Sequence, residues 1–506
     1  MTRTRRFLGG VTWGYVNLVV VTVVGLWLTA FYLHRLGEQH YGLWLVVSQI
    51  LAYVALLDLG VVALLPREVA YATGADAGQS TERVGRVAAE TLTLALWQVP
   101  VVALAAAAVL VLLPADWAEL RAPLAVVLGA FVLTFPARVL QATLRGLQDL
   151  AFLGGAQTAS WALGTAVAVA ALVGGLGLFA LAAGWVVTQT TGPVLWAIRL
   201  ARHFPEALPR RPAGMVGTVL RARLRSAGWV SVTQVAQVLI AGTDLLILGR
   251  LIGPGAVVLY FCTAKLMVVF QHPAQLLMEA AQPGLAQMRT GESRDRLARV
   301  CGALTAAVLI VSGGAACIVL GVNRGFVTWW VGADRFGGLA LTGVLLGGML
   351  LRHWSTTATY ALFALGRERR IALTILADGL LTVSAQIVLA RHLGPIGVAA
   401  GTMIGVGLIS LPLNLAALGR ETGGVRTQFA AVAPWAWRFA LGAAVALGVA
   451  LRWAPAAVPG LVIATLAAGV PYTVLVLPMA LRGALASYVR PLLERLRGPA
   501  PAPEGR

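Results

Sequence analysis

Charge is scarce in this chain: Asp, Glu, Lys and Arg together make up 12% of 506 residues. A soluble globular domain carries about 25%, so water cannot be the solvent for most of this molecule's surface. Acids are scarcer than bases, 20 against 39, and Lys265 is the one lysine. Because Leu266 follows it, no phosphate-binding loop of the G-x-x-x-x-G-K-[ST] type exists, which excludes ATP hydrolysis by that route. Cysteine is limited to Cys262, Cys301 and Cys317, all in apolar runs without paired spacing, which argues against a redox pair or a thiolate metal site. The histidines (His34, His40, His203, His272, His353 and His392) lack an H-E-x-x-H spacing. The expectation is therefore no catalytic residue, no metal and no cofactor.

What the chain has in abundance is apolar length. Hydrophobic residues make up 59%, and there are 57 glycines. Segments of about 20 apolar residues cross a bilayer as helices, because backbone groups in lipid have no water to bond. Such segments fall at roughly 9–33, 41–66, 88–113, 123–146, 151–174 and 176–198, then at 227–252, 256–283, 300–322, 338–364, 371–391 and 397–417. Two more lie near 438–453 and 459–481. The sequence thus predicts an all-α integral membrane protein with about 14 transmembrane helices. Its parts are an N-terminal lobe (1–198), a basic linker (199–226), a C-terminal lobe (227–417), two additional helices (418–481) and a basic tail (482–506).

The linker carries Arg199, Arg202, Arg210, Arg211, Arg221, Arg223 and Arg225 against Glu206 alone. Most other basic residues fall in alternate segments on the same side, which puts both termini in the cytoplasm. That orientation bias accounts for the net charge of +19 without nucleic acid as a partner. Residues 216–225 are basic and partly amphipathic, suited to lie along the inner leaflet. Glycines at small-xxx-small spacing (Gly10 and Gly14, Gly343 and Gly347, Gly401 and Gly405) suit close helix contacts in lipid.

An internal repeat relates the lobes. Leu176-Gly177-Leu178-Phe179-Ala180-Leu181-Ala182-Ala183-Gly184 matches Leu393-Gly394-Pro395-Ile396-Gly397-Val398-Ala399-Ala400-Gly401 at an offset of 217. A looser match sets Arg35-Leu36-Gly37 with Tyr41 against Arg250-Leu251-Ile252-Gly253 with Tyr260. Odd-numbered spans match odd-numbered ones, so the repeat is parallel, with an expected pseudo-two-fold axis along the membrane normal and a cleft between lobes.

Several stretches, taken in order, resemble a known family. They are Gly14-Tyr15, LGEQHYGLW at 36–44, YVALLDLG at 53–60, REVA at 67–70, LRGLQD at 144–149 and TDLLILGRLIG at 243–253. Together they resemble the Wzx-type polysaccharide flippases of the MOP exporter superfamily, over roughly residues 5–420. The resemblance implies two six-helix lobes around a central cavity, in a MATE-like fold in the cytoplasmic membrane. It implies transfer of a polyprenyl-pyrophosphate-linked oligosaccharide from the cytoplasmic to the outer leaflet by alternating access, for cell-surface polysaccharides such as lipopolysaccharide. Partners would be that lipid-linked saccharide, the bilayer and other polysaccharide-assembly proteins.

Bringing a pyrophosphate into a low-dielectric core requires positive charge. Three cations lie within spans: Arg352, Arg138 and Lys265. Intramembrane ionisable residues are the default site hypothesis. Arg138 also sits near enough to a helix end to snorkel. Asp244 and Lys265 flank the turn Gly253-Pro254-Gly255 at matching depth, roughly 14 Å below it at about 1.5 Å per residue, so an ion pair competes with substrate contact. Arg352 has no obvious sequence partner and is the preferred phosphate contact. Among the acids, Asp244 and Asp378 are the ion-coupling candidates, while Asp58 and Glu279, near helix ends, read as solvated.

Two other functions fit the same spans. A cation-coupled drug antiporter would favour an acidic cavity with few cations, whereas both signs occur here. A membrane glycosyltransferase or polymerase would need a sizeable outer loop, and the longest outer stretch, about 323–337, offers only Arg324, Asp334 and Arg335.

Overall fold

The computed structural model describes residues 3–58, 60–74, 80–209, 213–214, 217–288 and 293–482. Arg210, Arg211, the tail beyond Arg482 and the packing of Gly10 and Gly14 lie outside what is described. Among the described residues the chain is helical, with turns and no strand. It divides into two compact units, 1–238 and 239–506.

Unit 1 contains α1 (Arg3–Ala55), α2 (Val61–Gly74), α3 (Ser80–Leu112), α4 (Ala118–Thr134), α5 (Arg138–Gly146), α6 (Leu150–Val173), α7 (Leu178–His203) and most of α8 (Gly217–Ala241). Unit 2 contains α9 (Asp244–Leu251), α10 (Pro254–Phe270), α11 (His272–Gln287), α12 (Arg294–Val331), α13 (Gly338–Ala364), α14 (Glu368–Leu393), α15 (Pro395–Gly405), α16 (Leu411–Thr422), α17 (Arg426–Arg452) and α18 (Val458–Arg482). In unit 1, α6 packs along α7; in unit 2, α14 packs along α15 and α12 along α17.

Among the described residues, eleven helices are long and apolar enough to cross a membrane, or twelve if the bent pair Gly228–Ala241 and Asp244–Leu251 is one span. Two features make fourteen crossings compatible with that number. Gly37 (φ 76°) interrupts α1 and makes two helices of it. The 27-residue α13 is long enough to cross, but the run Arg352-His353-Trp354-Ser355-Thr356-Thr357 lowers its hydropathy.

The linker does not begin as a free tether. Ala207 is fully buried, the carbonyl of Ala213 accepts a hydrogen bond from Thr93 Oγ1 at 2.9 Å, and Gly85 leaves room for the backbone of Glu206. The segment after α7 is thus docked on α3, and the division between units falls later, in the last turn of α8.

The sequence repeat has a backbone counterpart. Gly177 (φ 53°, ψ −132°) precedes α7, and Gly394 (φ 58°, ψ −136°) precedes α15. Gly37 and Gly253, the looser pair, also share positive φ, 76° and 125°, with ψ of 173° and 167°. Only glycine adopts such values without strain, so backbone geometry calls for glycine at both members of each pair.

Helices in lipid gain no hydrophobic drive from packing on each other, so close approach over small residues matters more than in water. In unit 1, Gly164 on α6 lies against Thr188 and the Gly184 carbonyl on α7. In unit 2 the roles are reversed: Gly405, at the end of α15, lies against Thr382 and Asp378 on α14, and Gly401 against Gln386. Gly343 faces open space. A methyl group added at Gly405 would meet Asp378 Oδ1 at 2.5 Å. Overpacking of that kind costs about 1–3 kcal/mol. Gly405→Ala is expected to lower the melting temperature of the detergent-solubilised protein by several degrees, whereas Gly343→Ala leaves it unchanged; equal effects would refute this packing account.

Candidate functional site

Helix α14 carries Thr374, Asp378, Thr382 and Gln386 at every fourth position. That spacing stacks side chains on one face of a helix. All four are buried, and Asp378, Thr382 and Gln386 have no exposure at all. An apolar membrane helix with one continuous polar stripe must satisfy that stripe internally. Three of the four join two clusters, Asp378 and Thr382 one and Gln386, a turn further on, the other.

The first cluster surrounds Asp378. Its carboxylate is ion-paired with Arg352 Nη1 on α13 and accepts hydrogen bonds from Ser410 Oγ and from Thr382 Oγ1, the latter at 3.0 Å. Ser410 is delivered by a π-helical turn, Val406–Ser410, between α15 and α16. The cause is local: Pro412, just inside α16, has no N–H, and its ring clashes with an α-helical carbonyl four residues back. The wider turn relieves that clash, and such turns recur at functional sites.

The second cluster surrounds Asp244, at the first position of α9. Gln386 Nε2 donates to Asp244 Oδ1 at 2.9 Å and to Thr402 Oγ1 at 2.9 Å. Tyr260 on α10 donates its hydroxyl to Asp244 Oδ2 at 3.0 Å. Each oxygen of this carboxylate therefore has one neutral side-chain donor; among the described residues no cation is ion-paired with it, although the charge of Arg352 is near enough to act on it. Gln386 Oε1 is buried with no partner.

Three consecutive residues of α13 face three different helices, as steps of about 100° require. Arg352 meets Asp378 on α14, His353 Nδ1 lies 2.7 Å from Ser312 Oγ on α12, and Trp354 packs edge-on against Phe429 on α17, with centroids 5.5 Å apart. One turn on, Asn414 of α16 donates to Ser355 Oγ and Thr359 Oγ1 of α13 at 3.1 and 3.0 Å.

The five candidate residues separate as follows. Arg352, expected to lack a partner, has one in Asp378, which the sequence placed only among coupling candidates. Its Nη2 is still buried without a partner. Asp244 is bonded to Gln386 and Tyr260, and among the described residues no ion pair joins it to Lys265. Lys265 is half-buried, with Nζ 5.1 Å from the centroid of Phe261 on its own helix. Arg138 lies in unit 1, its guanidinium 5.4 and 5.5 Å from the rings of Phe131 and Phe135. Of the acids read as solvated, Glu279 is exposed. Asp58 is buried and accepts the amide of Val62 at 3.1 Å, capping the start of α2. Sequence reading missed Thr382, Gln386, Thr402, Tyr260 and Ser410, although the fourfold spacing on α14 was there to be read.

Breaking a buried ion pair by removing one partner costs about 3–5 kcal/mol, because the other charge is left uncompensated. Arg352→Ala is therefore expected to destabilise the protein strongly, and adding Asp378→Asn to recover much of that loss. Thermal unfolding of both variants checks this; a double variant no more stable than Arg352→Ala would show that the pair is not what fails.

No family model and no curated protein sequence matches this chain. Solved structures do. The lipid II flippase MurJ, in an inward closed conformation, matches with a TM-score of 0.63 at 10% identity, over 96% of this chain and 100% of that one. An inward-facing multidrug resistance MATE transporter of the MOP superfamily matches with a TM-score of 0.60 at 13% identity, over 80% of this chain and 94% of that one. The MATE multidrug transporter DinF-BH, in complex with R6G, matches with a TM-score of 0.54 at 16% identity, over 83% and 94%. The chain is a multi-pass membrane protein with the fold these transporters share.

Proposed function

We propose that this protein is a flippase that moves a polyprenyl-pyrophosphate-linked oligosaccharide from the cytoplasmic to the outer leaflet by alternating access, for cell-surface polysaccharide synthesis. The observation that carries this reading is the full-length likeness to a lipid II flippase, which includes the part of the chain that the MATE transporters leave uncovered. Partly buried cations within spans support it, since an anionic head group needs them and a cationic drug does not. The cytoplasmic membrane is the proposed location, with both termini in the cytoplasm.

Within that reading the charged residues divide the work. Arg138 and Lys265 have aromatic neighbours and, among the described residues, no ion pair, so they are the proposed phosphate contacts. Arg352 is committed to Asp378 through one nitrogen and offers its unpartnered Nη2 as a third donor. Asp244, hydrogen-bonded by neutral side chains and influenced by Arg352 only at longer range, is the proposed coupling carboxylate: a proton or a small cation can join it without displacing a salt bridge. Asp378 would have to surrender Arg352 first. The prenyl tail stays in lipid throughout.

The test is a liposome assay that follows a fluorescent polyprenyl-pyrophosphate saccharide as it appears in the opposite leaflet, with and without an imposed ion gradient. Gradient-stimulated transfer is expected. Absence of transfer in competent vesicles, together with export of a cationic dye, would move the protein to the drug antiporters. In the same vesicles Asp244→Asn, close in shape to the native residue, is expected to abolish the gradient's effect at least tenfold while the melting temperature holds. Unchanged stimulation would remove Asp244 from the coupling role.

A further inference from the structure

In unit 1, α4, α5, α6 and α7 surround a cavity of about 270 Å³. Two backbone interruptions border it. A short 3-10 turn, Phe135–Ala137, separates α4 from α5, and Pro193 lies inside α7. Pro193 has no N–H to give to the carbonyl four residues back, which is that of Gln189, so this acceptor is released at the cavity wall. Irregular backbone at membrane depth is tolerated where it lines a cavity. The tight contact of Gly164 with Thr188 and the Gly184 carbonyl clamps α6 to α7 beside this space.

The lining is chemically specific. Arg138, Gln141, Gln157 and Gln189 reach it from three spans, and none of the four hydrogen-bonds to a described protein group; Trp161 and Trp196 supply aromatic faces. The indole N–H of Trp196 is buried without a partner. The hydroxyls of Thr134, Ser160 and Thr188 donate to carbonyls of their own helices at 2.8, 2.7 and 3.0 Å, which leaves their lone pairs free to accept. No lining residue is acidic. Amides, an indole and a guanidinium that are all unsatisfied in a membrane span are costly unless a ligand or water completes them.

Those features select a ligand. It has to offer several groups that both donate and accept hydrogen bonds, present an apolar face to aromatic rings, and carry no positive charge. Its size is bounded as well, since pockets for drug-sized molecules run from about 300 Å³ upward and this one falls just below that range. We propose that the unit 1 cavity is a subsite for one hydroxylated sugar ring, neutral or bearing a single acidic group beside Arg138. The ring's C–H face stacks on Trp161 or Trp196, and its hydroxyls pair with the three glutamine amides. In its physiological role this rests on the flippase reading, with the ring belonging to the lipid-linked saccharide.

The full-length protein in lipid nanodiscs, free of glycoside detergents, tests it. Methyl glycosides of glucose, galactose, mannose, N-acetylglucosamine and glucuronate are titrated, with intrinsic tryptophan fluorescence and calorimetry as readouts. Saturable binding of at least one glycoside is expected, weakened tenfold or more by Gln189→Leu and by Trp161→Leu and unchanged by Trp453→Phe in unit 2. Should Trp161→Leu fail to fold, Gln189→Leu, which removes polarity but little volume, decides alone. Lack of saturable binding by every glycoside, or binding indifferent to Gln189→Leu, overturns the proposal, as does binding of a cationic dye at this cavity in place of a sugar. Lipid transfer is measured separately in vesicles. Glycoside binding without lipid transfer keeps the subsite and removes the flippase; transfer without glycoside binding removes the subsite and keeps the flippase.

Discussion

Asp378 has no exposure and sits in a helix long and apolar enough to cross a bilayer. An uncompensated carboxylate there costs several kcal/mol even after the surroundings relax, so its partners are a condition of unit 2 having this form. Arg352 supplies the counter-charge, Ser410 and Thr382 the hydrogen bonds, and each has a structural consequence. Arg352 puts a charge in the middle of α13. Ser410 arrives only because the chain takes a π-helical turn ahead of Pro412. Thr382 and the carboxylate share the space that Gly405 leaves vacant. Helices that lipid alone would not press together are therefore joined at one point by a charge pair, a turn and a glycine.

The two units share the backbone geometry of their matched glycine turns and differ in what lies beside them. Gly177 and Gly394 open α7 and α15 with nearly the same dihedral angles, and a glycine–threonine contact recurs in the helix pair beside each turn. Yet the threonine stands on α7 in unit 1 and on α14 in unit 2. In unit 1 the space beside the contact is a cavity with amides, indoles and one arginine but no acid. In unit 2 the same region is filled by two carboxylates and their donors. A cavity lined without acids in unit 1 and a pair of carboxylates in unit 2 suit an anionic or neutral cargo at the first and a cation at the second, which is the division the proposed function requires.

Much of the fold was legible because the bilayer makes its rules visible in composition: apolar lengths near 20 residues, arginines in alternate segments, and glycines at the matched turns. The site was legible in part. Arg352, Asp244 and Asp378 stood out as ions in apolar helices, but pairing is a matter of which helix lies beside which, and α13 and α14 meet through an approach that sequence spacing does not encode. Matching depth suggested Asp244 with Lys265, since both flank one turn; equal depth, however, says nothing of the angle around each helix axis, and Tyr260, rather than Lys265, points from α10 to Asp244. The polar stripe on α14 was in plain view at a period of four. It was overlooked because threonine and glutamine in a membrane helix carry no charge to attract attention. Asp58 was misjudged for a different reason: nearness to a helix end was taken for exposure, whereas the residue is buried as a cap.

Asp378 on this stripe and Asp244 on α9, which the stripe reaches through Gln386, are not equivalent, and the difference lies in what binding a cation would undo. At Asp378 the ion pair is already made, and the remaining donors are hydroxyls fixed by backbone position; a proton or metal ion must compete with Arg352 for oxygens already occupied. At Asp244 both partners are neutral and can reverse their polarity. Tyr260 can turn its hydroxyl to accept, and the Gln386 amide can present Oε1, which has no partner in the arrangement seen, in place of Nε2. Gln386 is also bonded to Thr402 on α15, so such a turn would loosen the contact between α9, α14 and α15. Arriving charge at Asp244 would thus be felt as a change in how three helices are held, while Asp378 keeps α13 in place. The proposed coupling needs one group that changes state and one that does not; the stripe on α14 holds the second in Asp378 and reaches the first, Asp244 of α9, through Gln386 two turns along.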